Sequence, residues 1–322
     1  MKKQRVLITG ISGFVGSHLA DFLLTKKKLE VFGIDLSTAK VDNLENCFNY
    51  IKLFSCDLTE SISVRKLIKE IKPDKIFHLA GRPFVEDSWS IPQKTFVVNV
   101  FAELNILNSL VELKLNPWFQ IACSSEEYGL AVKKELPISE KNELRPLSPY
   151  AVSKIAQDYL GYQYYKSYGL RVVRTRPFNH IGPRQNENFV VSNFAKQIAL
   201  IEAGKQPPII KVGNLNAIRD FTDVRDIVKA YWLCASGKCE AGEVYNLCSG
   251  KGYRISKILE ILISLSKIKV KIQRDPKRMR PSDVPVWVGD NRKFVKQTGW
   301  KLEYSLEETL PDILNYWREK VR

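Results

Sequence analysis

The chain has no apolar run approaching the roughly 20 residues that a membrane-spanning helix needs. Its first apolar stretch, in MKKQRVLITG, is cut short by Gly10 and Ser12 before it reaches the length of a signal-peptide core. Histidine is scarce, with three in 322 residues. The six cysteines (Cys47, Cys56, Cys123, Cys234, Cys239, Cys248) show no C-x-x-C spacing, and the histidines cannot complete a zinc set with them. Reduced, mostly buried thiols are therefore expected, as in a cytoplasmic protein. Internal repeats and low-complexity linkers are also missing. These absences exclude a membrane span, a disulfide scaffold and a zinc domain, and no metal is expected.

What is present is ordinary globular chemistry with a basic balance. Hydrophobic residues make up 44% and charged residues 26%. Fifty basic against 35 acidic side chains give +15. The lysines are spread along the chain, and the densest clusters, Lys26-Lys27-Lys28 and Lys277-Arg278 with Arg280, are short. There is no aromatic-basic RNA motif and no basic tail, so neither nucleic acid nor a membrane is expected as a partner. Solvated faces account for most of the charge. A nucleotide-phosphate substrate accounts for the rest.

The first half alternates strand-like and helix-like periods. Apolar runs at Arg5–Thr9, Val31–Ile34, Tyr50–Leu53, Lys75–His78, Phe119–Ala122 and Arg171–Arg174 are mostly separated by helical patterns. Such alternation indicates an α/β fold: a Rossmann-type, doubly wound parallel sheet covered by helices. After Pro177 the segments shorten and turn formers accumulate. One more strand is expected at Glu243–Leu247, followed by a smaller α+β portion. The two halves are expected to pack tightly with the site between them.

Three motifs carry chemistry. Gly10-x-x-Gly13-x-x-Gly16 follows the first strand and opens the first helix, the context of a pyrophosphate-binding turn. Asp35 ends the second strand where a ribose-binding acid belongs. A carboxylate there accepts from both ribose hydroxyls and repels a 2′-phosphate, so NAD(H) is favoured. Lys40 lies close enough in sequence to leave NADP(H) possible. Asp57-Leu58, after the third strand, is a candidate for the adenine amino group; the plain alternative is a helix cap at Asp57 or Thr59.

Tyr150 and Lys154 share a helix face at i and i+4. A nearby cation favours the phenolate, so the pair can exchange a proton near neutral pH. Tyr162 and Lys166 have the same spacing, but they lie three turns deeper, away from the strand ends where such folds bind ligands. The third motif, Cys123-Ser124-Ser125-Glu126-Glu127-Tyr128-Gly129, follows the fifth strand. Ser124 is placed to bond a substrate oxygen and Glu126 to act as a base; the alternative is a polar loop turning at Gly129.

Taken with His78-Leu79-Ala80-Gly81, in this order and spacing, these motifs resemble the extended short-chain dehydrogenase/reductases over essentially the whole chain. The resemblance implies Tyr150 as acid/base and Ser124 as the group steadying the sugar oxygen. It implies that Lys154 orients the cofactor ribose and lowers the Tyr150 pKa. It assigns Gly10, Gly13, Phe14, Val15, Gly16, Asp35, Asp57, Leu58, Leu79, Ala80, Gly81, Asn99, Tyr150 and Lys154 to the cofactor.

The second half narrows the resemblance. Arg176-Pro-Phe-Asn179-His180, Phe189 through Lys196, Val212-Gly-Asn, Arg219 through Asp226, Arg280-Pro-Ser-Asp283 and Thr298-Gly-Trp300 are similar to GDP-mannose 4,6-dehydratases and GDP-6-deoxy-4-keto-mannose reductases. The resemblance implies a GDP-sugar substrate, with Arg82, Ser125, Asn179, Val190, Lys196, Arg219, Arg280 and Asp283 as its contacts. Arginines at 219 and 280 suit bidentate diphosphate contacts.

A 4,6-dehydratase needs a base, and Glu126 occupies the matching position. A reductase needs only hydride delivery and protonation by Tyr150. Glu86-Asp87-Ser88-Trp89, Ser124 in place of threonine, and Asn179-His180-Ile181-Gly182-Pro183-Arg184 look reductase-like. Asp35 and Arg82 depart from that pattern. The expected reaction is therefore NAD(P)H-dependent reduction of a GDP-4-keto-6-deoxyhexose to a GDP-6-deoxyhexose such as GDP-rhamnose. Dehydration of GDP-mannose is the alternative and a nucleotide-sugar 4-epimerase a more distant one. A non-catalytic dinucleotide sensor would not need the intact Ser124, Tyr150 and Lys154 set.

The division expected is 1–177 with about 222–252 for the dinucleotide domain, and 178–221 with 253–322 for the nucleotide-sugar domain. The resemblance also implies a homodimer through a four-helix interface of residues ~95–114 and ~148–168, and closed two-fold pairs are the commonest oligomers.

Overall fold

The computed structural model describes residues 3–266, 268–278 and 284–322. In the first half the elements are β1 (Gln4–Thr9), α1 (Phe14–Leu24), β2 (Leu29–Asp35), β3 (Lys52–Ser55), α2 (Ser61–Ile71), β4 (Lys75–His78), α3 (Val85–Ser90), α4 (Pro92–Phe96), α5 (Ala102–Glu112), β5 (Trp118–Ala122), α6 (Pro149–Tyr168) and β6 (Val172–Pro177). The second half holds β7 (Asn179–Ile181), α7 (Val190–Glu202), β8 (Ile209–Val212), β9 (Ile218–Asp223), α8 (Val224–Cys234), β10 (Val244–Leu247), β11 (Gly252–Arg254), α9 (Ile255–Ser264), β12 (Lys271–Arg274), β13 (Val286–Trp287), α10 (Arg292–Thr298) and α11 (Leu306–Lys320).

Seven strands form one parallel sheet in the order β10-β6-β5-β4-β1-β2-β3. The order reverses between β1 and β4. That switch point opens a crevice at the carboxyl ends of the strands. Alternation along β1 sends Val6 and Ile8 into one core with Leu19 and Leu23 of α1 and Ile227 of α8. Leu7 faces the opposite core with Ile68 of α2 and Ile106 of α5. Both faces are covered, which is why the strands read as continuous apolar runs.

A separate core joins Phe194 and Ile198 of α7, Ile258 and Leu262 of α9, and Leu310 and Leu314 of α11. Strands β7, β9, β11 and β13 pair in a smaller sheet, and β8 pairs with β12. The chain then returns to the first core, where Phe294 packs against Tyr245 and Trp300.

Two elements differ from the sequence reading. The strand expected at Tyr50–Leu53 runs Lys52–Ser55, because Phe48–Tyr50 form a 3-10 turn and Lys52 takes the register position opposite Phe32. The helical stretch over residues 95–114 is broken by a π-helical segment, Val97–Phe101, between α4 and α5. Among the described residues no helix is long and apolar enough to cross a membrane. All six cysteines are free and buried, as the sequence suggested.

Candidate active site

β1 ends at Thr9 and the chain turns at Gly10 with φ +69°. A Cβ on Gly10 would lie 2.9 Å from the backbone of Ala80, and one on Gly16 would lie 2.2 Å from the Gly10 carbonyl oxygen. The first glycine thus permits the turn against the loop after β4, and the third brings helix onto strand. Gly13 is the N-cap of α1, and no side chain caps that end. Its first-turn amides have no intrahelical partners and carry the positive end of the helix dipole.

Asp35 borders this loop. Its Oδ2 accepts the Ser12 N–H at 3.0 Å and the Ser12 hydroxyl, and its Oδ1 accepts the Leu36 N–H at 3.0 Å. Uncapped helix amides beside an acceptor carboxylate fit the pyrophosphate and ribose of a dinucleotide. Asp57 is engaged locally: Oδ1 accepts the Thr59 N–H at 2.9 Å and its hydroxyl at 2.7 Å. The N-cap of α2 is Glu60, not Asp57 or Thr59. Leu58 offers its carbonyl to Asn105 at 2.9 Å.

The loop after β4 is fastened from below. The Thr9 hydroxyl oxygen accepts the Leu79 and Ala80 N–H groups, both at 3.2 Å, so its own proton is directed to His78 Nδ1 at 2.9 Å. His78 therefore carries its proton on Nε2, which is buried and has no hydrogen-bond partner among the described residues. Burial, aided by the Lys154 charge, pushes the His78 pKa down to about 3. A Cβ on Gly81 would meet Asn99 Oδ1 at 3.0 Å and Lys154 Nζ at 3.9 Å. Asn99, turned inward by the π segment, accepts the Arg82 N–H at 2.7 Å and donates to Ser153 Oγ at 2.9 Å.

α6 starts cleanly. The Ser148 side chain accepts the Ala151 N–H, Pro149 occupies the first turn, and Gly169 ends the helix in the left-handed region. Tyr150 and Lys154 are both buried. Lys154 Nζ lies 5.9 Å from the Tyr150 ring centroid and donates to the Ala122 carbonyl at 2.8 Å. Ser124 caps the 3-10 turn Ser125–Tyr128, accepting the Glu126 N–H at 3.2 Å, and its side chain acts on the Tyr150 phenol.

Burial raises the Tyr150 pKa above its ordinary value. The Ser124 side chain opposes the rise, and the Glu126 and Glu127 charges add to it. Burial also lowers the Lys154 pKa. The direction is opposite to the lowering by Lys154 that the resemblance implies, because burial is the largest influence on the phenol. The Tyr162–Lys166 pair lies on the surface, with Nζ 5.5 Å from the ring centroid.

Of the expected substrate contacts, Ser125 Oγ accepts the Trp287 indole N–H at 3.2 Å. Asn179 donates to the Asp220 carbonyl at 3.3 Å, and Val190 opens α7, whose end has no side-chain cap. Phe189, just before it, packs on Phe84 with ring centroids 5.4 Å apart, joining the second core to the loop after β4. Arg82 reaches Asp87 at 3.4 Å, and its buried Nε has no hydrogen-bond partner among the described residues. Arg219 Nη1 donates to the Ile218 and Val284 carbonyls, and Lys196 engages Glu187 at 2.8 Å and the Trp317 ring. Arg280 and Asp283 lie outside the described residues.

A family model for GDP-mannose 4,6 dehydratase matches residues 7–313. The chain belongs to the GDP-mannose 4,6-dehydratase family. It is 35% identical over 319 residues to the GDP-6-deoxy-D-mannose reductase of Pseudomonas aeruginosa, with 99% of each chain covered. A GDP-mannose 4,6-dehydratase of Vibrio cholerae is 30% identical over 353 residues, covering 98% of this chain and 93% of its own. The solved structure of RMD from Pseudomonas aeruginosa complexed with NADPH has a TM-score of 0.86 at 34% identity, covering 99% of this chain and 100% of its own. The extended short-chain dehydrogenase/reductase fold and an enzyme of this family are therefore borne out.

In this member of the GDP-mannose 4,6-dehydratase family, sequence reasoning missed a buried ionic group behind Ser124. Asp158 bonds Arg174, Asp158 Oδ2 lies 2.9 Å from Arg176 Nε, and Glu127 lies 3.0 Å from the same Nε. The available signal was helical spacing, since Asp158 stands four residues after Lys154 on α6. Donor atoms of Cys123, Glu127 and Asp158 lie within 4.8 Å of one another, but Arg174 and Arg176 supply the positive charge there. Also missed was Asn193 of α7, whose Oδ1 accepts from Arg278 at 2.8 Å.

Proposed function

We propose that the chain reduces the 4-keto group of a GDP-4-keto-6-deoxyhexose, giving a GDP-6-deoxyhexose. The observation that carries this reading is the burial of Tyr150 beside Lys154 one turn along the same helix, with the Ser124 side chain acting on the phenol. A protonated phenol is the form that reduction requires. When bound, the reduced nicotinamide dinucleotide supplies the hydride. Tyr150 gives its proton to the carbonyl oxygen, the Ser124 hydroxyl steadies that oxygen, and Lys154 with Asn99 holds the ribose side of the cofactor. Gly10, Gly13 and Gly16 admit the pyrophosphate. Asp35 favours NADH, because its carboxylate repels a 2′-phosphate, although the Pseudomonas aeruginosa RMD structure contains NADPH.

The GDP part is assigned to the second portion, residues 178–221 with 253–322, against a dinucleotide portion of 1–177 with about 222–252. A homodimer through the α5 and α6 faces and a reducing, cytoplasmic setting complete the reading. The free buried cysteines support the latter. The second reading is GDP-mannose 4,6-dehydration. Glu126 favours it, since it lies close enough for its charge to act on Tyr150.

The test is incubation with GDP-4-keto-6-deoxymannose plus NADH or NADPH, and separately with GDP-mannose alone. Cofactor oxidation with the keto sugar and none with GDP-mannose is expected, faster with NADH. Conversion of GDP-mannose to a keto sugar without net cofactor use would replace reduction by dehydration.

A further inference from the structure

Behind the catalytic serine lies a group of charges that the proposed reaction leaves unused. Glu127, three residues after Ser124, turns its carboxylate back. Its Oε1 accepts the Ser124 backbone N–H at 2.9 Å. Arg176 of β6 places Nε 3.0 Å from Glu127 Oε2 and 2.9 Å from Asp158 Oδ2. The single N–H at Nε is directed at Asp158, so the contact with Glu127 is electrostatic. Nη1 of Arg176 donates to the Tyr128 hydroxyl at 3.0 Å, and that hydroxyl donates to Asn246 at 2.7 Å. The Glu127 and Asp158 side chains are 0% exposed and Arg176 is 4% exposed. Asp158 stands on α6 with Tyr150 and Lys154.

One buried guanidinium therefore touches both the turn that carries Ser124 and the helix that carries Tyr150. We propose that Glu127 is a positioning residue for Ser124, and that Arg176 is the hub that sets the Ser124 turn against α6. The inference rests on the Ser124–Tyr150 site proposed above. A 3-10 turn of four residues has little rigidity of its own. A side-chain hydrogen bond to its first amide, in a low-dielectric setting, supplies what the turn lacks. Misplacing a reacting group by about 1 Å costs on the order of a hundredfold in rate, so holding this turn is a rate effect rather than a binding effect.

The experiment compares Glu127→Gln, which keeps a carbonyl oxygen to accept the Ser124 N–H, with Glu127→Leu, which keeps the volume and removes the acceptor. Activity on the keto sugar is expressed per cofactor-binding site counted by titration, so a poorly folded fraction drops out. Amide hydrogen exchange at Ser124 is followed in the same preparations. Glu127→Leu is expected to lower kcat about tenfold or more, with KM and cofactor Kd within about threefold, and to speed Ser124 exchange; Glu127→Gln stays within about threefold of the parent in all of these. Unchanged kcat per site in Glu127→Leu, or equal loss in both variants, overturns the proposal. If the parent chain does not reduce the keto sugar, the reductase reading fails by itself. The exchange contrast then decides the role of Glu127, and equal Ser124 exchange in the two variants overturns it.

Discussion

Tyr150 and Lys154 stand one turn apart on α6, and both have left water. Desolvation disfavours the charged form of each, so it raises the Tyr150 pKa and lowers that of Lys154. Replacing Tyr150 by Phe removes the proton and leaves the ring. Turnover is expected to fall about 10²–10⁴-fold with cofactor affinity unchanged; stopped-flow turnover and cofactor titration check this, and near-parent turnover would remove Tyr150 from the mechanism.

His78 makes a second prediction at this scale. Burial, reinforced by the Lys154 charge, takes its pKa from the ordinary 6.5 to about 3 in the fold. Below pH 6.5 the unfolded chain takes up a proton that the fold refuses. Above pH 6.5 this contribution is constant, and stability falls as pH drops from there toward 3, by up to about 1.4 kcal/mol per pH unit. Burial lowers His18 and His180 as well, so they share in the acid loss. Urea unfolding at pH 7 and pH 5 should show a smaller drop for His78→Gln than for the parent. Equal drops would mean that His78 does not titrate between the two states.

At the scale of elements, the strand–turn–helix over residues 4–24 was legible because every part of it is local. The apolar strand, the glycine spacing and the helix face lie within one stretch of chain. Gly16→Ala would force a Cβ to 2.2 Å from a backbone oxygen, which no rotamer relieves. A loss of about 1–3 kcal/mol in stability, with weaker dinucleotide binding, is expected in denaturant and titration measurements; a chain unchanged in both would show that α1 can shift freely. The π segment at 97–101 was not legible. Its apolar spacing resembles that of the helices on either side, and what it achieves, turning Asn99 toward Arg82 and Ser153, depends on residues far along the chain. The same holds for β3, whose start is fixed by pairing with β2 rather than by its own residues.

At the scale of the whole molecule, Val97 and Phe101 beside α5, and Val152, Tyr159 and Tyr162 on α6, leave large apolar side chains in solvent. Phe101→Glu is expected to convert a dimer to a monomer in sedimentation velocity with little change in melting temperature. A monomeric parent chain would remove the four-helix interface. The two cores are joined at the site by Phe84 against Phe189. They are joined again along α1, where His180 stacks on Phe14, His18 meets the Pro183 carbonyl at 2.9 Å and Arg184 pairs with Asp21 at 2.7 Å. These contacts link the first turn of the proposed cofactor helix to the strand carrying Asn179.

The amino-acid sequence by itself determined the parallel α/β fold, the glycine turn, Asp35 at the end of its strand, and the placing of Tyr150 and Lys154 one turn apart on one helix. Each is written in short-range spacing, since strand and helix periods repeat over a few residues and a turn needs its glycine in place. Only the tertiary structure decided the direction in which the Tyr150 pKa moves, because desolvation depends on everything packed around the ring. It alone brought Glu127 and Asp158 to one guanidinium on β6, because that meeting requires the sheet order and the seating of α6. It also spent the Asp57 carboxylate on Thr59 and turned Lys196 to Glu187, since a side chain's partner is chosen by distance in space and not by position along the chain.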